Sequence, residues 1–157
     1  MQRLLTLLTL FAPVTLACGS TVAGPDSVQA PDDSGRQVTG RVATLVEALT
    51  QQGAAVMVME RMSPASHCLS VGARRLVVNG ENVYAFEYES AESAGRDASG
   101  ISSDGRTIAS GGNVCMPGWT GPPRFYRQDR LIALYVGTDT DLIRILDRTL
   151  GNPFAHR

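Results

Sequence analysis

Lysine is absent from this sequence, and all 14 of its basic residues are arginine. Fifteen acidic residues balance them, so the formal net charge is −1 at pH 7. Without lysine the phosphate-binding pattern G-x-x-x-x-G-K-[ST] cannot occur, and every mechanism that uses a lysine amine is excluded. A nearly neutral chain also lacks the positive surface with which proteins bind nucleic acids. We therefore expect no nucleic-acid partner.

Long hydrophobic runs are absent as well. The uncharged, leucine-rich stretch at residues 4–16 has 13 residues. As a helix it would span about 20 Å of a hydrocarbon layer that is roughly 30 Å thick. Arg3 precedes this stretch and Pro13 interrupts it. The pattern is typical of a secretory signal peptide rather than a membrane span, so residues 1–17 are predicted to be a targeting segment.

The predicted signal segment ends at Ala17 within Leu-Ala-Cys-Gly-Ser, so a small residue stands directly before Cys18. This motif resembles the lipobox of bacterial lipoproteins. The resemblance implies that the chain is cut after Ala17 and that the sulfur of Cys18 carries a diacylglycerol. It also implies that the mature protein lies outside the cytoplasm, anchored to a bacterial membrane by its lipid. The alternative is an ordinary secretory signal that is cut further along the chain, with Cys18 removed.

Residues 19–38 contain no aromatic residue and are rich in glycine, serine, proline, aspartate and alanine. Such a segment cannot bury enough apolar surface to offset the entropy lost on ordering. Residues 18–38 are therefore predicted to be a lipidated N-terminus and flexible tether, although an ordered edge segment is the alternative. Residues 39–157 remain for a single folded domain, a size that buries one ordinary core.

Periodicity within this domain predicts an α+β fold with the order α-β-β-β-α-β-β-β-α. Apolar residues recur with helical spacing between Val42 and Leu49, and Asn-Gly at residues 79–80 marks a hairpin. A second hairpin is predicted at residues 124–137, and Asp139 begins the last helix. Residues 111–123 are expected to form an irregular loop. Antiparallel hairpins of this kind predict a two-layer domain, an antiparallel sheet with helices on one face.

The domain also resembles a group of small uncharacterised bacterial lipoproteins. The residues that carry the resemblance are LVVNGENVYAFEY at 76–88, SSDGRTI at 102–108, RFYRQDRLIALYVG at 124–137 and the terminal LGNPF. The resemblance implies a shared fold and no particular activity. Cys68 and Cys115 stand where the group is expected to have other residues.

The two cysteines of the domain, Cys68 and Cys115, are expected to form a disulfide in an oxidising extracytoplasmic space. Two alternatives remain open at this point. The cysteines could be free thiols, or they could form a metal site with His67. A zinc site needs three or four ligands, and the only other histidine is His156. We therefore expect no metal and no cofactor.

Three residues are candidates for contact with a partner. Trp119 lies in a loop rich in glycine and proline, and aromatic residues on loops are enriched at interfaces. It could equally be a plug over the end of the sheet. Arg124 and Arg127 belong to a set of arginines near the two hairpins, with Arg74, Arg75 and Arg130. These could form an anion-binding face, or they could be paired with acidic residues on a mixed surface.

No residue pattern in the sequence indicates catalysis strongly. The pattern G-x-S-x-G is absent, so Ser66 and His67 do not by themselves indicate a triad. Glu87 and Glu89 alternate along a strand as a possible acid–base pair, but a solvated strand face is the simpler interpretation. We therefore expect a non-catalytic binding or interaction module of the cell envelope, whose partner is an envelope protein or glycan. The alternative is an envelope-associated hydrolase with an unrecognised active site.

Overall fold

The computed structural model describes residues 40–157. The predicted signal segment, the tether and Cys18 lie outside the described residues. The helices are α1 (Gly40–Gln51), α2 (Ala91–Ser99) and α3 (Thr140–Leu150), with a short 3₁₀ helix at Pro64–Ser66. The strands are β1 (Val56–Arg61), β2 (Ala73–Val78), β3 (Glu81–Glu87), β4 (Ile108–Ser110), β5 (Asn113–Cys115), β6 (Pro123–Gln128), β7 (Leu131–Val136) and β8 (Ala155–His156).

Six of these strands form one antiparallel sheet in the order β1-β2-β3-β7-β6-β8, and β4 pairs with β5 as a separate hairpin. The α+β class and the predicted element order are confirmed. Two short strands add to that order. One of them, β5, lies in the segment that was predicted to be an irregular loop, and the other, β8, closes the edge of the sheet beside β6.

The turn between β2 and β3 shows why the sequence folds locally as it does. Val78 pairs with Glu81, so the turn consists of Asn79 and Gly80. Their φ angles are 51° and 93°, a left-handed conformation that asparagine and glycine adopt at little cost. The side chain of Asn79 also accepts a 2.8 Å hydrogen bond from the backbone N–H of Ala55. The turn therefore fixes the start of β1 as well as the hairpin.

Helix α3 is defined by signals within its own sequence. Its N-cap is Asp139, whose carboxylate accepts hydrogen bonds from the backbone N–H groups of Asp141 and Leu142 at 2.9 and 2.8 Å. These bonds satisfy two of the donors that a helix N-terminus leaves free. The helix buries Leu142, Leu146 and Leu150. Among residues 40–157, no helix combines the length and apolarity needed to cross a bilayer.

The helices lie on both faces of the sheet, so the prediction of helices on one face, in two layers, was wrong. Helices α1 and α3 pack against the face that contains Val83 and Ala85. Helix α2 packs against the other face, which contains Phe86 and Ile132. The physical reason is that β7, LIALYV, is apolar at every position and fully buried at five of its six residues. A strand that is apolar on both sides requires cover on both sides.

Candidate functional site

Cys68 and Cys115 form a disulfide that connects the segment after the 3₁₀ helix to β5. Their Cα atoms are 6.4 Å apart, and 47 positions separate them along the chain. The expected pairing is therefore confirmed. Because both sulfurs are bonded to each other, neither is a thiolate that could hold zinc. Within the described ranges, no three histidine, cysteine or acidic side chains converge as a metal site would require.

A buried carboxylate lies close to this disulfide. Asp97 of α2 is 6% exposed, and its Oδ2 accepts 2.8 Å hydrogen bonds from the backbone and the hydroxyl of Ser70 and from the hydroxyl of Tyr88. Its Oδ1 accepts a 2.7 Å bond from the hydroxyl of Ser110. We call these four residues the Asp97 cluster. Ser70 follows Cys68 closely and Ser110 belongs to the same hairpin as Cys115, so the cluster and the disulfide join the same two segments.

Two opposing effects set the pKa of Asp97. Burial by itself would raise that pKa, but the hydrogen bonds from Ser70, Ser110 and Tyr88 together lower it below its usual value. Burial and the same carboxylate raise the pKa of Tyr88. Asp97 was not among the residues predicted from the sequence, although a signal was present. Ala94 and Ala98 are spaced as on one helix face, and position 97 lies on that buried face.

His67 is buried against two aromatic rings of β3. It is 5% exposed, and its ring lies 4.4 Å from the Tyr84 ring and 5.4 Å from the Phe86 ring. Burial lowers its pKa, and its Nδ1 has no partner among the described residues. The hydroxyl of Ser66 meets that of Ser63 at 3.3 Å. The structure therefore does not connect Ser66, His67 and Asp97 in a hydrogen-bonded series.

Glu87 is engaged at the N-terminus of α1. Its Oε1 accepts a 2.9 Å hydrogen bond from the backbone N–H of Arg41 and lies 3.0 Å from the guanidinium of Arg130. A carboxylate at this position compensates the free donors and positive end of the helix. Glu89 lies beyond the end of β3 and is exposed. The arrangement assigns Glu87 a structural role rather than that of one half of an acid–base pair.

The arginines near the hairpins do not share one face. Along β6, Phe125 packs in the core on the α2 side and Tyr126 in the core on the α1–α3 side. Alternation therefore places Arg124 on the α1–α3 side and Arg127 on the α2 side. Arg127 is exposed there and lines a cavity of about 410 Å³ beside α2.

Other arginines of this set are paired across the surface, as the alternative interpretation expected. Arg75 lies 2.7 Å from Glu60, and Arg130 is paired with Glu87. Arg124 is half-buried, and its Nε has no hydrogen-bond partner in the described part of the chain. A single anion-binding face made of all five arginines is therefore not formed.

Trp119 lies in a groove of about 680 Å³ that is built mainly by the segment before β6. We call it the Trp119 groove: residues 116–123 form most of its lining, and Arg106 and Arg157 complete it. Its volume is within the range of pockets that enclose small ligands or short segments of a partner.

The indole of Trp119 is held in a fixed orientation. Its Nε1 donates a 2.8 Å hydrogen bond to the carbonyl of Gly105, and its ring meets the Phe125 ring edge-on at 6.2 Å. The side chain is half-buried, so part of the ring remains accessible. Trp119 therefore packs against the core through Phe125 and also forms part of the groove wall. The two interpretations of this residue are compatible.

Comparison with protein-family models, with curated proteins and with solved structures finds no match. The function of the chain is therefore inferred from its own residues and their geometry.

Proposed function

We propose that this protein is a non-catalytic binding module that engages an envelope protein through the Trp119 groove. In this proposal the signal segment at residues 1–17 directs export, and a lipid on Cys18 anchors the mature chain to a bacterial membrane. Residues 18–38 are the tether between the anchor and the domain. The observation that carries the proposal is the groove itself, which presents an aromatic ring held in place by the Gly105 carbonyl.

The chemistry of the groove supports binding more than hydrolysis. Its polar side chains are those of Arg106, Arg157 and Thr120, which are hydrogen-bond donors suited to recognition. A hydrolase site would need a general base within hydrogen-bond reach of a nucleophile or water. The buried ionisable residues His67 and Asp97 do not line the groove, and Asp97 is occupied by its own cluster.

Site-specific photocrosslinking in intact cells tests this proposal. A benzophenone amino acid replaces Met116, which lines the groove and is 81% exposed. The matched control places the same amino acid at Gln51, which is exposed on α1 at the opposite face of the sheet. We expect a discrete crosslinked species from position 116 alone. No crosslinked species, or the same species from both positions, would contradict a partner in the groove.

A further inference from the structure

The Trp119 groove differs in charge from the rest of the chain. The whole sequence has one more acidic than basic residue, yet the groove is lined by two arginines and by no residue with a carboxyl side chain. Arg106 and Arg157 are both exposed. In the described residues neither arginine has a carboxylate within 4.0 Å. The groove therefore offers two guanidinium groups to an external anion.

Asp104, two positions before Arg106, is already hydrogen-bonded within its own turn. The Oδ1 of Asp104 accepts hydrogen bonds from the hydroxyl of Ser102 at 2.7 Å and from the backbone N–H of Arg106 at 3.1 Å. The Ser102 hydroxyl, that N–H and the charge of the Arg106 guanidinium lower the pKa of Asp104, although no carboxylate oxygen in residues 40–157 lies within 4.0 Å of that guanidinium. Asp104 thus stabilises the turn through the backbone of Arg106, and it does not line the groove.

The remaining lining is apolar and adaptable. Trp119, Met116 and three prolines contribute most of it. Methionine is flexible and polarisable, and it is used at surfaces that accept apolar side chains of varied shape. A sugar presents hydroxyls that donate as well as accept, whereas Thr120 is the only one of the described lining residues whose side chain has an oxygen acceptor. These features favour a peptide with an apolar side chain over a glycan.

The loop also offers backbone donors. Trp119 N–H is bonded to the carbonyl of Pro117 at 3.0 Å. The backbone N–H groups of Gly118, Thr120 and Gly121 have no acceptor in the part of the chain that the structure describes. Backbone donors without an internal partner are available to the carbonyls or carboxylates of a bound segment.

We infer that the Trp119 groove binds an extended acidic peptide segment of an envelope protein. Carboxylates of the segment pair with Arg106 and Arg157, and an apolar side chain between them packs against Trp119 and Met116. Guanidinium groups suit this role because they bind carboxylates through two parallel hydrogen bonds. The inference rests on the proposed function and names the chemistry of its partner.

The test uses the fluorescence of Trp119, which is the only tryptophan of the chain. The full chain is titrated with a short peptide in which glutamates flank a leucine–proline pair. Parallel titrations use the same peptide with glutamine, or with lysine, in place of glutamate. We expect a saturable change in Trp119 emission with the acidic peptide and at least about tenfold weaker binding of the glutamine peptide, as the loss of hydrogen bonds to charged groups implies. Added salt should weaken the acidic complex.

Substitutions at Gly118 give a matched pair of opposite charge. A Cβ built at this residue meets no atom within 4 Å, so both variants should fold. Gly118→Glu is expected to weaken the acidic complex at least about tenfold, and Gly118→Arg to strengthen it. Arg106→Gln should also weaken it. Arg144→Gln is the control, because Arg144 is exposed on α3 and pairs with Asp141.

The outcomes separate this inference from the proposed function. Equal affinity for the acidic and glutamine peptides would overturn the inference, as would tighter binding of an oligogalacturonate than of the acidic peptide. If no peptide binds while position 116 still forms its crosslinked species, the acidic class is wrong and the binding function stands. If neither peptide binding nor the crosslinked species is seen, both the inference and the proposed function are wrong.

Discussion

At the scale of single residues, Asp97 has the most demanding environment of the described chain. Four hydrogen bonds converge on a carboxylate that is almost completely buried. Its value to the fold depends on those bonds, because a buried charge without partners is strongly unfavourable. The cluster is local in space but draws on Ser70, Tyr88 and Ser110, which are separated along the sequence. The sequence around Asp97 gives no sign of these three partners, because only the fold brings them to the carboxylate.

Asp97→Asn should lower the free energy of unfolding by about 2–3 kcal/mol, since it replaces charge-assisted hydrogen bonds with neutral ones and leaves one amide oxygen where two carboxylate oxygens accept four bonds. Urea denaturation at neutral pH measures the change. The control is Asp141→Asn on the exposed surface of α3, where the expected change is below about 0.5 kcal/mol. Equal effects of the two substitutions would refute the role given to the cluster.

The same residue predicts a pH dependence. The pKa of Asp97 is lowered in the folded protein, so its contribution to stability is fully present above the unfolded pKa of roughly 4. That contribution is lost as the pH falls through the folded pKa. The stability difference between the wild type and Asp97→Asn should therefore be constant at neutral pH and shrink in acid. A stability difference that grows on acidification would contradict this account, because it would require folding to raise the pKa of Asp97.

Cys18 is the residue on which the proposed anchor depends. Cys18→Ser should abolish labelling of the protein with radioactive palmitate in growing cells, because the thioether to the diacylglycerol cannot form. Two acyl chains or more anchor a protein stably where one is marginal, so the variant should also leave the detergent-soluble membrane fraction. Unchanged labelling of Cys18→Ser would disprove the lipobox prediction.

At the scale of elements, local signals were sufficient for the hairpins and for α3. Asn79-Gly80 defines the turn between β2 and β3, and Asp139 caps α3; each is a property of a few adjacent residues. The face on which each helix packs depends on contacts between distant segments, and the prediction that all helices share one face was wrong for this reason. The clue was the unbroken apolar run of β7, which indicates a strand buried on both faces.

The residues that line the Trp119 groove were predictable only in part. Trp119 was found from its loop composition, and it lines the groove. Arg124 and Arg127 were grouped, although a spacing of three along a strand places side chains on opposite faces. Arg106 and Arg157, which do line the groove, are far apart in the sequence. Only the fold brings them together.

The disulfide supports a prediction at the element scale, because it joins the segment after the 3₁₀ helix to the β4–β5 hairpin. Replacing both Cys68 and Cys115 with serine should lower the free energy of unfolding by about 3–4 kcal/mol, the value that chain entropy gives for a loop of this length. Denaturation of the reduced wild type should match the double variant. Two freely alkylated thiols in the untreated protein, detected by non-reducing mass spectrometry, would contradict the bond.

At the scale of the whole described domain, the sheet separates two surfaces with different contents. Helices α1 and α3 cover one face with an apolar core. The other face has α2, the disulfide hairpin, the Asp97 cluster and the segment that forms the Trp119 groove. Two cross-links, one covalent and one hydrogen-bonded, hold the hairpin on that face. The segment that forms the groove begins directly after Cys115, so the disulfide restrains its first residue, and such restraint reduces the entropy that the loop loses on binding.

The most direct test of the central claim is the yield of the crosslinked species from position 116 when the groove is filled. Gly118→Trp adds a large side chain where a Cβ meets no atom within 4 Å, and Gly118→Ala is the matched small substitution. A partner in the groove predicts that the tryptophan variant loses the crosslinked species while the alanine variant keeps the full yield. Equal yields from both variants, with both folded, would contradict the groove as the binding site.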